Sequence, residues 1–151
     1  MNSHLPLKLL IELAQKDVDE AAKLLGDRQR QRAEVERQLE ALKTYRHEYR
    51  SRMQTATQTG MAGGDWRNFQ QFIDTLDSAI GQQQMLLQQA QDRLEAARRE
   101  WQAQQRRLNS FGTLATRAQA REDLRVARRE QKDNDEYAAR ATRRRADTSP
   151  L

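Results

Sequence analysis

Apolar residues recur at alternating steps of four and three along two stretches of this chain, and three glycines in five positions stand between them. From Leu7 the steps reach Ile11, Ala14, Val18, Ala21, Leu25, Arg28, Arg32, Val35, Leu39, Leu42, Arg46, Tyr49, Met53 and Ala56; twelve of these fifteen positions are apolar. From Trp66 they reach Phe69, Ile73, Leu76, Ile80, Gln83, Leu87, Ala90, Leu94, Ala97, Trp101, Gln104, Leu108, Phe111, Ala115 and Ala118, with fourteen of sixteen apolar. A period of about 3.5 residues that never slips is a coiled-coil seam. Arg, Glu, Gln and Asp dominate the flanks, as on solvated helix faces.

The break between the arms, Thr57 to Asp65, ends one helix because glycine costs about 1 kcal/mol in a helix interior. Asp65 is placed to cap the second helix, and Ser3 the first, with Pro6 tolerated in its opening turn. A short connection makes long helices antiparallel neighbours. Folding about residue 61 pairs residue i with about residue 122 − i, and both seams then run out together, at Leu7 and near Ala118. The expected fold is all-α, a long antiparallel two-helix coiled coil (helical hairpin) whose second helix extends beyond the first. Its helices are predicted over about 4–57 and 66–142, with a turn at 58–65 and a frayed tail at 143–151, in one domain. The paired arms span roughly 75 Å at 1.5 Å per residue.

Composition must be reconciled with this pattern. Leu, Ile, Val and Phe make only 26 of 151 residues, a level at which disorder competes with a compact core. Against disorder stand a net charge of only +5 and the 75 residues that are Ala, Glu, Lys, Leu or Arg. Half a chain in those five types, at heptad spacing, is coiled coil.

Several chemistries lack their residues. There is no cysteine, hence no disulfide or thiolate chemistry, and a reducing cytoplasmic setting fits. No run approaches 18 apolar residues, and the N-terminus is a poor signal peptide. His4 and His47 have no ligand-spaced partner for a metal. Gly60 to Gly64 is not followed by Lys-Ser or Lys-Thr, so it is no phosphate loop. Carboxylates abound but lie on solvated faces, without a pocket to shift them. The expectation is a protein that is not an enzyme and needs no cofactor. The basic run Arg143 to Arg145 could meet nucleic acid or anionic lipid. Acids interleave with the bases, however, and no aromatic platforms alternate with them.

Two features remain for function. Residues 117–145 carry ten Lys or Arg against six Asp or Glu, past the end of the seam. This overhang is either a solvated tail or a helix that enters a partner. The second feature is that Tyr45, Phe72 and Ala79 lie off the seam by about one position: Gln38, Leu42, Tyr45 and Tyr49 form one stripe, and Phe72, Leu76, Ala79 and Gln83 another. The register places the stripes side by side near the hairpin tip. Two helices offer no third layer to cover Tyr45 and Phe72, so an exposed aromatic patch, and with it a protein interface, is expected there.

The residues Leu13-Ala14, Ala21-Ala22, Leu24-Leu25-Gly26, Leu42, Tyr45 and Glu48-Tyr49-Arg50, followed by Trp66, Asn68, Phe69-Gln70-Gln71-Phe72-Ile73, Leu76, Ala79-Ile80 and Gln82, resemble the FliJ family of flagellar export proteins. The resemblance covers residues 5 to about 111 and implies a stalk of the flagellar type III export apparatus. Such a stalk inserts in the hexameric ring of the export ATPase, FliI, and promotes its assembly and activity. It also contacts the cytoplasmic region and linker of the export gate protein FlhA and binds export chaperones. It would be cytoplasmic, associated peripherally with the membrane at the flagellar base, without inserting in it. The gate contact carries over onto Gln38, Leu42, Tyr45, Tyr49, Phe72, Leu76 and Ala79, with Gln83 a departure from the family pattern. The ATPase ring would meet Arg121, Arg125, Arg128, Arg129, Lys132 and Arg140 on the overhang. An alternative is an escort for export chaperones with no mechanical role. Another is a self-associating coiled coil, although a chain that buries its own seam is expected to be monomeric alone.

Overall fold

The computed structural model describes residues 6–148. They form two helices, α1 (Leu7–Gln58) and α2 (Gly63–Asp147), and no strand. The cap expected of Ser3 lies outside the described residues, as do His4 and the last three residues of the tail. Pro6 stands immediately ahead of α1, where its carbonyl accepts from the Leu9 and Leu10 amides at 2.8 and 3.3 Å. Its missing N–H matters little there, because the first amides of a helix have no intrahelical acceptor.

Between the helices Gly60 alone has a positive φ, 89°. The Thr59 amide bonds the Thr55 carbonyl at 3.2 Å and the Gly60 amide bonds Thr57 at 3.3 Å, closing the end of α1. A left-handed glycine just past the last helical residue is a common helix stop. The start of α2 differs from expectation. The Asp65 and Trp66 amides both bond the Ala62 carbonyl at 3.1 Å, so Ala62 holds the capping position and Gly63, Gly64 and Asp65 make the first turn. Asp65 is therefore not the cap, though its carboxylate lies in the first turn, where the helix dipole favours negative charge. At the other end α2 continues to Asp147, five residues past the expected limit.

By packing the chain divides into two units: Lys16–Gln105, and Met1–Gln15 with Arg106–Leu151. In the first, the two helices pack antiparallel. Gln38 bonds Gln83, Arg46 bonds Asp77, and the Tyr49 ring meets Phe72, each within one residue of the expected register. Val18, Ala21, Leu39, Ile73, Leu76, Ile80, Ala90 and Ala97 are buried. In the second unit Ala14 is buried, and Leu7, Ile11, Leu108, Phe111 and Ala115 are half-buried. Every seam position on α1 is buried or half-buried, the three arginines included. Arg46 achieves this by laying its stem in the seam and sending its guanidinium to Asp77 at 2.9 Å. On α2 the seam runs from Phe69 to Ala115; Trp66 and Ala118, its expected ends, are exposed. Past Ala115, α2 has one half-buried residue, Ala141, up to residue 148. Among the described residues, no helix is long and apolar enough to cross a membrane.

Candidate functional site

Four aromatic rings gather at the turn end of the Lys16–Gln105 unit. Tyr45 and Phe72 meet edge to face with centroids 6.0 Å apart. Tyr49 contacts Phe72 at 4.5 Å, Phe69 at 4.9 Å and Tyr45 at 6.3 Å. These separations lie in the favourable range for tilted and edge-on rings, about 0.5–1.5 kcal/mol per pair beyond area burial. Local sequence explains the arrangement. Tyr49 and Phe69 occupy seam positions and point between the helices, while Tyr45 and Phe72 each sit one residue ahead of a seam position, Arg46 and Ile73. The inner rings hold the outer ones. Tyr45 keeps 45% of its surface in solvent and Phe72 36%, so the cluster is solid beneath and open above.

The eight residues expected at this surface do not all reach it. Tyr45 and Phe72 are exposed, and Leu42, Tyr49 and Ala79 are half-buried around them. Leu76 is buried and Gln83 is 9% exposed; both belong to the seam and support the surface from below. Gln83 donates its Nε2 to Gln38 Oε1 at 2.9 Å and to the Val35 carbonyl at 3.2 Å, which satisfies an amide inside an otherwise apolar seam. Exposed Gln38 in turn bonds Glu34 at 3.4 Å. Glu34 also accepts from Arg37. That hydrogen bond and the charge of Arg37, with a smaller contribution from Gln38, hold the Glu34 carboxyl below its ordinary value.

Two residues of this end are not among the eight expected at the surface. By its spacing Phe69 is a seam residue, and it is also the ring against which Tyr49 leans. Its spacing of three from Phe72 was the available signal. Trp66, a seam position by its spacing, is 45% exposed, beside an open hollow of about 540 Å³ that Met53 and Arg50 border. A second hollow, about 320 Å³, lies between Tyr49, Met61 and Phe69.

The basic residues expected at the ATPase ring lie in the other unit. Arg121, Arg125, Arg128, Arg129, Lys132 and Arg140 are all exposed along α2. Arg125 holds Glu122 with two bonds, 2.7 and 3.1 Å. The pairing lowers the Glu122 carboxyl and raises the Arg125 guanidinium, hydrogen bonding first and charge second. The other five have no ion pair among the described residues. Nor do the described residues bring together three His, Asp or Glu side chains that could hold a metal.

Sequence comparison matches one family over nearly the whole chain. The family described as "Flagellar FliJ protein" matches residues 3–147. The chain is 40% identical over 145 residues to a "Flagellar FliJ protein" of Salmonella typhi, covering 96% of this chain and 99% of that one. It is 37% identical over 145 residues to the protein of the same description from Escherichia coli (strain K12), with the same coverage. The chain therefore belongs to the FliJ family of flagellar proteins.

Proposed function

We propose that this protein is the stalk of the flagellar export apparatus, docking its aromatic end on the export gate protein FlhA and presenting its overhanging helix to the ring of the export ATPase, FliI. Family membership supports a component of flagellar protein export. The observation that carries the finer reading is the ring cluster. A few residues carry most of the binding energy at protein interfaces, with Tyr among the enriched types, and side chains already held in place lose less entropy on binding. The overhang supports the second contact differently. Its six named cations are exposed, only Arg125 of them holds an ion pair among the described residues, and exposed ion pairs contribute only about 0–1 kcal/mol each. Such contacts can be exchanged singly, which suits a stalk that re-seats among subunits. A cytoplasmic protein at the membrane face of the flagellar base, also meeting export chaperones, follows from the same reading.

Tyr45→Ala combined with Phe72→Ala tests it. Both side chains are exposed, so helicity should hold while affinity for the gate protein's cytoplasmic region falls by ~100-fold in a calorimetric titration. Unchanged affinity would sink the gate assignment.

A further inference from the structure

Residues 78–91 of α2 contain no charged side chain, although charged residues make 32% of the sequence. An uncharged sector on a charged coiled coil is fitted to lose its water, because burying a lone charge is far more costly than burying an amide. The run carries a pattern. Phe72, Ala79 and Leu86 are spaced by seven, two helical turns, and each stands one residue ahead of a seam position, Ile73, Ile80 and Leu87. Thr75, Gln82 and Gln89 fill the same line at the alternating steps of a second heptad. Leu86 is 47% exposed, and Thr75, Gln82 and Gln89 are exposed.

The contact of Tyr45 with Phe72 shows that this line shares a side of the hairpin with the residues one ahead of the α1 seam. The Gln38–Gln83 bond ties the two helices between the levels of Ala79 and Leu86. The result is a groove with unlike walls. The α2 wall is uncharged from residue 78 to 91. Along the α1 rim Glu34 is paired with its neighbour Arg37, and towards the turn Glu48 and Arg52, which the register sets opposite about residues 74 and 70, have no ion-pair partner among the described residues.

We infer that this groove is a seam for a third helix: an amphipathic helix of the gate partner, apolar at heptad spacing, with its charges confined to the flank over α1. The inference rests on the gate reading and lengthens that contact along α2 from Phe72 to Gln89, roughly 25 Å at 1.5 Å per residue. Charge complementarity fixes the helix's sides. A basic group answers Glu48 within this length, an acidic group just past its Phe72 end answers Arg52, and the flank over Gln82 and Gln89 is uncharged.

The test uses the full chain and the cytoplasmic fragment of the gate protein as probe. A photoreactive benzoylphenylalanine is placed singly at 79, 82, 85, 86, 88 and 89. A docked helix gives strong cross-links at 79, 82, 86 and 89 and background at 85 and 88, which lie off the line. Even yields, or cross-links to a second copy of this chain, overturn the inference. In parallel, Leu86→Glu should weaken the probe about ten-fold or more with helicity unchanged. If Phe72→Ala weakens binding and Leu86→Glu does not, the groove is unoccupied and the gate contact stands. If neither weakens it, the gate reading fails and the third helix with it.

Discussion

Gly60 and Gly63 belong to one turn yet answer to different constraints. Gly60 has φ 89°, a conformation that costs an L residue roughly 1–2 kcal/mol, while Gly63 and Gly64 are in the first turn of α2 with helical backbone. A Cβ at any of the three meets nothing within 4 Å, so backbone conformation alone decides. Gly60→Ala should lower stability by ~1 kcal/mol, whereas Gly63→Ala or Gly64→Ala should raise it by ~0.5 kcal/mol. Thermal unfolding of the three variants checks the opposed signs. Gln83 is a second case. Its amide donates to an exposed Gln38, which water can serve as well, and to the Val35 carbonyl within α1, so Gln83→Leu should stabilise the hairpin by ~1 kcal/mol. A loss of stability there would mean that the Gln38–Gln83 bond contributes more than an apolar seam. Glu122 offers a pH test. Its folded pKa lies below the ordinary 4.5, so the stabilisation from Arg125 is fully present above that value and is lost as pH falls through the lowered one. Carboxyl titration by NMR should place Glu122 below 4.5, and Arg125→Ala should return it there.

At the scale of elements, α2 divides into a paired part and an overhang with almost nothing buried. Deleting residues 119–151 should therefore remove helical signal while leaving the unfolding midpoint within ~2 °C. A large fall would mean that the overhang packs against the hairpin. How much of this could be read beforehand depends on what sets each feature. The seams were legible because burial between two helices acts on every third or fourth residue, and even the misfit Arg28, Arg32 and Arg46 keep its phase. Tyr45 and Phe72 were legible as residues just off that phase. The limits of α2 were not, because helix propensity penalises glycine in an interior, while the first turn has no amides committed to the ladder and accepts Gly63 and Gly64. The stripes mixed residues of two depths, which the seam separates: Leu76 and Gln83 stand on its phase and are buried, while Tyr45 and Phe72 stand one residue off it and stay exposed.

For the molecule as a whole, the two kinds of surface imply two kinds of binding. A held aromatic cluster gives affinity that survives salt, whereas exposed cations give contacts that salt screens beyond about 8–10 Å. Gate binding should thus change little between low and high ionic strength, and the contact made by the overhang should weaken markedly. The direct measurement of the stalk assignment is the hydrolysis rate of the export ATPase with and without this protein, alongside the chain lacking residues 119–151. The full chain should raise the rate and the truncated chain should not. Equal rates in all three reactions would contradict a stalk and leave an escort of export chaperones in its place.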